Sequence, residues 1–88
     1  MGLLILPYYI YVLLCEDGSY YTGYAKDIDL RVQQHWRGVG ARYTKLHKPK
    51  KLVYTEEFET VGEAMKRERE IKQLSHEEKY RLVSLHPR

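Results

Sequence analysis

Apolar positions follow two rhythms along this chain, and the first is continuous. Residues 9–15 read Tyr-Ile-Tyr-Val-Leu-Leu-Cys without a charged or strongly polar side chain. A stretch that is apolar at both alternating sets of positions is a strand covered on both faces, the central strand of a small sheet. The polar break Glu16-Asp17-Gly18-Ser19 follows, and then Tyr20-Tyr21-Thr22-Gly23. Tyrosine and threonine fit a pleated surface well, so the two segments predict a β-hairpin. Loop length decides where its side chains point. A two-residue turn at Asp17-Gly18 sends Tyr11 and Tyr21 to opposite faces. A three-residue loop, Asp17-Gly18-Ser19 with a bulge, puts both rings on one face.

Helical rhythm takes over after the hairpin. Asp27 or Asp29 can cap a helix that continues through Leu30 and Val32 to about Trp36 and ends at Gly38. Residues 38–51 show no helical or strand period and hold three turn formers, Gly38, Gly40 and Pro49. A loop of that length in a small domain is usually functional or mobile. Leu52, Val53, Tyr54 and Phe58 mark a third strand over 51–58. Thr60-Val61-Gly62-Glu63 reads as a capping box, and Val61, Ala64, Met65, Glu68, Ile71 and Lys72 recur at helical spacing. Ser75 with Glu78 opens a short last helix through Tyr80, Leu82, Val83 and Leu85. The sum is an α/β fold: a three-stranded antiparallel sheet flanked by helices, one domain over 1–88 with its core at about 8–85.

With 88 residues there is room for one core, roughly two-thirds of the unfolded surface being buried on folding. Net charge is only +3, but it is segregated. Between residues 30 and 55 stand Arg31, Arg37, Arg42, Lys45, Lys48, Lys50 and Lys51, with no acidic side chain among them. A window of one sign points to a polyanion. The plain alternative is a solvated, lysine-rich loop. The single Cys15 forms no internal disulfide and reads as a small buried hydrophobe, which fits a cytoplasmic protein. The apolar start, residues 2–7, is too short to span a bilayer and lacks a basic leader and a cleavage signal. It is expected as a loose tail, an extension of the first strand or an edge cover.

Several residue types suit phosphate chemistry. Arg31 and His35 lie four apart, hence on one helix face. Arg42 and Tyr43 offer a phosphate fork beside a stacking ring. Glu68 places a carboxylate inside an otherwise apolar stripe, where it needs a cation.

The order and spacing of these residues resemble the GIY-YIG nuclease family. Its two opening triplets stand here as Tyr9-Ile10-Tyr11 and Tyr21-Thr22-Gly23, with Arg31 eight residues on, then His35, and Glu68 on a later helix. The resemblance runs from Tyr8 to about Leu85. Gly40-Ala41-Arg42-Tyr43-Thr44 looks like a signature of small stand-alone members, and with residues 31–35 it also resembles the nuclease subunit of structure-selective junction endonucleases. Tyr9 replaces a glycine and Thr22 an isoleucine, both conservative for a strand. Trp36 stands where asparagine is common, and the late asparagine of several members has no counterpart.

The resemblance implies a divalent-metal-dependent endonuclease acting on DNA, in repair or recombination, with Mg²⁺ or Mn²⁺ as cofactor and no membrane association. Glu68 is then the metal ligand and Arg31 the partner of a non-bridging phosphate oxygen. Tyr11, Tyr21 and His35 position or deprotonate the water, and both Tyr11 and His35 stand as candidate bases. Arg42, Tyr43, Lys45, Lys48, Lys50 and Lys51 are the expected nucleic-acid contacts. A non-catalytic nucleic-acid-binding module with the same fold is the rival reading, and a protein-interaction adaptor using the apolar start is a third.

Overall fold

The computed structural model describes residues 7–86; the expectations for the apolar start at residues 2–6 lie outside them. Strands β1 (Tyr8–Cys15), β2 (Tyr20–Ala25) and β3 (Pro49–Phe58) form an antiparallel sheet in the order β2-β1-β3. The uninterrupted apolar run is the central strand. Ile10, Tyr11, Val12, Leu13 and Cys15 are buried there almost completely. Each such aliphatic side chain contributes about 1.5–3 kcal/mol of transfer free energy. Burial also pushes the Cys15 thiol up, so it stays protonated and inert.

The β1–β2 loop has three residues, Glu16-Asp17-Gly18, one position earlier than the sequence suggests. Gly18 N–H donates to the Cys15 carbonyl at 3.0 Å, and Cys15 N–H donates to the Ser19 carbonyl at 2.8 Å. Gly18 adopts φ +85°, which glycine alone reaches cheaply, so its place fixes the end of the loop. Asp17 secures the exit by accepting from the Ser19 backbone N–H at 3.0 Å and the Ser19 hydroxyl at 2.6 Å. The odd loop length aligns Tyr11 with Gly23 and Leu13 with Tyr21. All four therefore share one face of the sheet, as the three-residue alternative requires.

The two faces have different coverings. Ile10 and Val12 pack with Val53, Tyr54 and Ile71, and Leu82 and Val83 close on that cluster. Helices α3 (Val61–Lys72) and α4 (His76–Leu85) bring the last three residues. The opposite face, carrying Tyr11, receives α1 (Ile28–Trp36) through His35. The predicted caps form, but the box at Thr60 is only half made, the Glu63 carboxylate accepting from the Thr60 hydroxyl at 2.9 Å. Asp27 accepts from Leu30 N–H, Thr60 from Glu63 N–H, and Ser75 with Glu78 forms a full reciprocal box.

Three expectations are corrected. Residues 42–46, read as loop, form a short helix α2 (Arg42–Leu46) whose N-cap, Ala41, offers no side-chain bond. A helix of one turn has no stability of its own in water, so its packing, invisible in a local pattern, must hold it. The third strand begins at Pro49, two residues earlier than read. Register shifts place Lys50 and Val53 as extra residues on β3, which blurs its alternation. The apolar stripe of α3 is narrower than its spacing implies: Ala64 and Ile71 are fully buried, while Val61 and Met65 are 39% and 38% exposed.

Gly18 and Gly62 both have open space where a Cβ would stand, but only Gly18 has a positive φ. Gly18→Ala should therefore cost about 1 kcal/mol, about 4–8 °C in Tm, whereas Gly62→Ala inside α3 should add about 0.4–1 kcal/mol. Thermal and urea unfolding of the two variants check the opposite signs.

Candidate active site

Tyr11 lies at the centre of the inner face with no exposed surface, and its hydroxyl lies 2.7 Å from Nε2 of His35. His35, also wholly buried, has Nδ1 2.8 Å from the hydroxyl of Thr44. Thr44 in turn donates its hydroxyl proton to the Ala41 carbonyl at 3.1 Å. A strand, α1 and α2 thus meet through three polar side chains. Leaving any of them unpaired here would cost about 1–3 kcal/mol.

Two glycines make that meeting sterically possible. A Cβ on Gly23, the cross-strand partner of Tyr11, would stand 2.5 Å from the Tyr11 hydroxyl oxygen. A Cβ on Gly40 would stand 2.5 Å from His35 Nδ1 and 2.9 Å from its Cα. The glycine of the second triplet is needed for the ring it admits. No φ value or turn demands it.

Arg31 lies one turn before His35 on α1, half-buried, with Nη1 donating to Gln34 Oε1 at 2.9 Å. Among the described residues no carboxylate forms an ion pair with it. Burial pushes the Tyr11 phenol far above its ordinary value, the neighbouring Tyr21 raises it further, and the Arg31 guanidinium opposes both. Burial lowers the His35 imidazole to about 4, and Arg31 acts in the same direction. Both members of the pair are therefore neutral near pH 7. The sequence reading of Arg31 and His35 as a joint phosphate face is corrected: His35 turns inward to Tyr11, and Arg31 alone keeps an uncompensated charge.

Tyr21 completes the cluster, its ring centroid 4.8 Å from His35 and 6.2 Å from Tyr11. Burial raises its phenol, Arg31 lowers it, and the charge of Glu68 raises it. Glu68 thus acts on the site from α3. Its half-buried carboxylate pairs with Lys72 at 3.7 Å, and the Lys72 ammonium also lies 5.9 Å from the Tyr21 ring centroid. Among the described residues no three metal-ligating side chains converge. One weakly paired carboxylate nonetheless suits Mg²⁺ or Mn²⁺, which keep several waters and take phosphate oxygens to fill an octahedron.

The expected nucleic-acid contacts lie further out. Arg42, Lys45, Lys48, Lys50 and Lys51 are exposed along α2 and the start of β3. Tyr43 is half-buried and turned inward, 5.9 Å from the Tyr21 centroid and stacked on His47 at 4.1 Å. His47 in turn contacts the Asp17 carboxylate. Bonds from Ser19, and then His47, hold that carboxyl well below its usual range.

Thr44, Gly40, Gln34 and Lys72 were not singled out from sequence as parts of the site. The motif Gly40-Ala41-Arg42-Tyr43-Thr44 carried the signal for two of them, but a buried threonine hydroxyl looks the same in sequence as an exposed one.

Comparison with known proteins gives a consistent picture. Residues 7–81 match the GIY-YIG catalytic domain family. The chain is 54% identical over 77 residues to a UPF0213 protein of Staphylococcus saprophyticus, covering 88% of this chain and 94% of that one. It is 53% identical over 76 residues to UPF0213 proteins of Staphylococcus aureus, covering 86% and 93%. The fold matches the solution NMR structure of a UPF0213 protein from Bacillus halodurans with TM-score 0.60 and 47% identity, over 92% of this chain and 86% of that one. A protein from E. faecalis, also solved by NMR, matches with TM-score 0.61 and 40% identity, over 90% and 84%. Among the described residues no helix is long and apolar enough to cross a membrane.

The buried imidazole makes stability depend on pH. Its folded value of about 4 lies below the ordinary 6.5, so the unfolded chain binds the proton more readily between those values. Stability should be fully present above about pH 6.5 and fall as pH drops towards 4. An NMR titration should place the His35 midpoint near 4, and a midpoint near 6.5 would contradict the neutral buried pair.

Proposed function

The chain belongs to the GIY-YIG catalytic domain family, a nuclease family, and from that premise we propose that it is a divalent-metal-dependent endonuclease hydrolysing DNA phosphodiester bonds. The observation that carries the reading is the buried Tyr11–His35 hydrogen bond beside a guanidinium with no carboxylate partner among the described residues. A binding module has no use for that arrangement. A hydrolase needs a proton acceptor for water and fixed positive charge for the phosphate.

The geometry supports the following roles. Tyr11 and His35 act as one proton-accepting unit, since neither is a strong base alone while both are neutral. As water attacks phosphorus, its proton goes to the Tyr11 oxygen and the Tyr11 proton goes to His35 Nε2. No free phenolate is needed. Arg31 pairs with a non-bridging oxygen as charge grows on it, its fork suiting phosphate better than an ammonium. Tyr21, half-buried, packs beside both rings and orients what enters. Tyr11 has no exposed surface, so substrate binding must move a covering side chain before water reaches the phenol.

Glu68 would hold Mg²⁺ or Mn²⁺, which supplies Lewis-acid stabilisation of the phosphate and the departing oxygen. Exposed Arg42, Lys45, Lys48, Lys50 and Lys51 supply sequence-independent phosphate contacts, and Tyr43 acts mainly by bracing Tyr21. The whole chain, with its core at about 8–85, works as one cytoplasmic domain, with DNA repair or recombination as the setting.

The direct test is incubation with branched, single-stranded and duplex DNA, with Mg²⁺ or Mn²⁺ against chelator. Cleavage should require the metal. Glu68→Gln should remove it by about 10²-fold or more while DNA affinity and Tm stay near wild type. Full cleavage by that variant would overturn the metal assignment.

A further inference from the structure

The hydrogen bond between Tyr11 and His35 has two possible directions, and only one makes a base. If the imidazole carries its proton on Nε2, it donates to the phenol oxygen and has nothing to accept with at that end. If the proton is on Nδ1, the Nε2 lone pair faces the phenol and can take its proton. Burial keeps the ring neutral, so one nitrogen carries a hydrogen and the other does not.

Thr44 supplies the missing constraint. Its hydroxyl has one hydrogen, which goes to the Ala41 carbonyl at 3.1 Å. Towards His35 Nδ1, 2.8 Å away, the same oxygen can only accept. With the Thr44 hydrogen on Ala41, Nδ1 carries the imidazole proton and Nε2 accepts the Tyr11 proton at 2.7 Å. The Ala41 carbonyl accepts the Thr44 proton, so the direction of the whole chain is set at the backbone.

We propose that Thr44 is a positioning residue of the active site: it locks His35 in the Nδ1–H tautomer and so makes the Tyr11–His35 pair a proton acceptor. The proposal rests on the nuclease reading only for its catalytic consequence; the tautomer stands without it. Three features support a built device. Thr44 is itself buried, at 2% exposure, on a helix too short to form alone. Gly40 brings the chain against His35 so closely that no Cβ fits there. The imidazolium formed during the reaction keeps its Nδ1–H donated to Thr44, so proton uptake breaks no bond on that side.

Two variants separate hydroxyl chemistry from packing. Thr44→Val keeps the shape without the hydroxyl, and Thr44→Ser keeps the hydroxyl with less volume. Imidazole ¹⁵N shifts of His35 report the tautomer directly, and single-turnover cleavage with DNA affinity reports the consequence. Wild type should show Nδ1–H. Thr44→Val should move population to Nε2–H and slow cleavage by about tenfold or more, with DNA affinity within about twofold. Thr44→Ser should keep the wild-type tautomer and most of the rate. Wild-type His35 protonated on Nε2 would overturn the proposal even if no variant folds. So would an unchanged tautomer in Thr44→Val, or a serine variant as impaired as valine. Wild type that cleaves no DNA would instead remove the nuclease reading, leaving the ¹⁵N result to decide the tautomer.

Discussion

A phenol and an imidazole, both without exposed surface, share a hydrogen bond of 2.7 Å beneath the sheet, and the surrounding chain is arranged to let them meet. The meeting needs an odd hairpin loop, because one residue fewer would turn Tyr21 and Gly23 to the other face. It needs two positions without a Cβ, Gly23 over the phenol and Gly40 against the imidazole. It also needs α2, a helix too short to persist by itself, to be held where Thr44 reaches His35. Together these requirements tie the central strand, its edge partner and two helices to one small volume.

That volume is electrostatically biased in one direction. Burial disfavours charge on Tyr11 and on His35, and Arg31, beside them, disfavours a second positive charge while favouring a phenolate. The resting pair is thus neutral on both sides, with a guanidinium that no carboxylate neutralises among the described residues. Under the proposed nuclease reading, a phosphate beside Arg31 would supply the counter-charge and weaken the influence, second to burial, that opposes protonation of His35. Tyr21 feels both signs, Arg31 lowering its phenol and Glu68, paired with Lys72, raising it.

Much of this was legible in the sequence because it rests on periodicity and on residue type. The uninterrupted run at residues 9–15 gave the central strand, and Asp27, Thr60 and Ser75 gave the helix starts. Tyr11, Tyr21, Arg31 and His35, named from the family resemblance, come together in space. What stayed hidden depends on tertiary contact. A one-turn helix with no side-chain cap has no local signature, so α2 passed for loop. Bulges at Lys50 and Val53 broke the alternation that would have located the start of β3. The α3 stripe looked wider than it is because spacing shows which residues share a face and not how far a neighbour covers it. The roles of Gly23 and Gly40 could be stated only once the atoms a Cβ would meet were known. The inward turn of His35 likewise required the register, since helix spacing alone placed it beside Arg31 on one face.

The central claim is that the buried phenol passes a proton during phosphodiester hydrolysis, and removing one oxygen atom tests it most directly. Tyr11→Phe keeps the ring that fills the space over Gly23 and deletes the hydroxyl. Single-turnover cleavage of a DNA substrate should fall by about 10²–10⁴-fold, while DNA affinity stays within about twofold of wild type. Cleavage at the wild-type rate by a folded Tyr11→Phe protein would contradict the account.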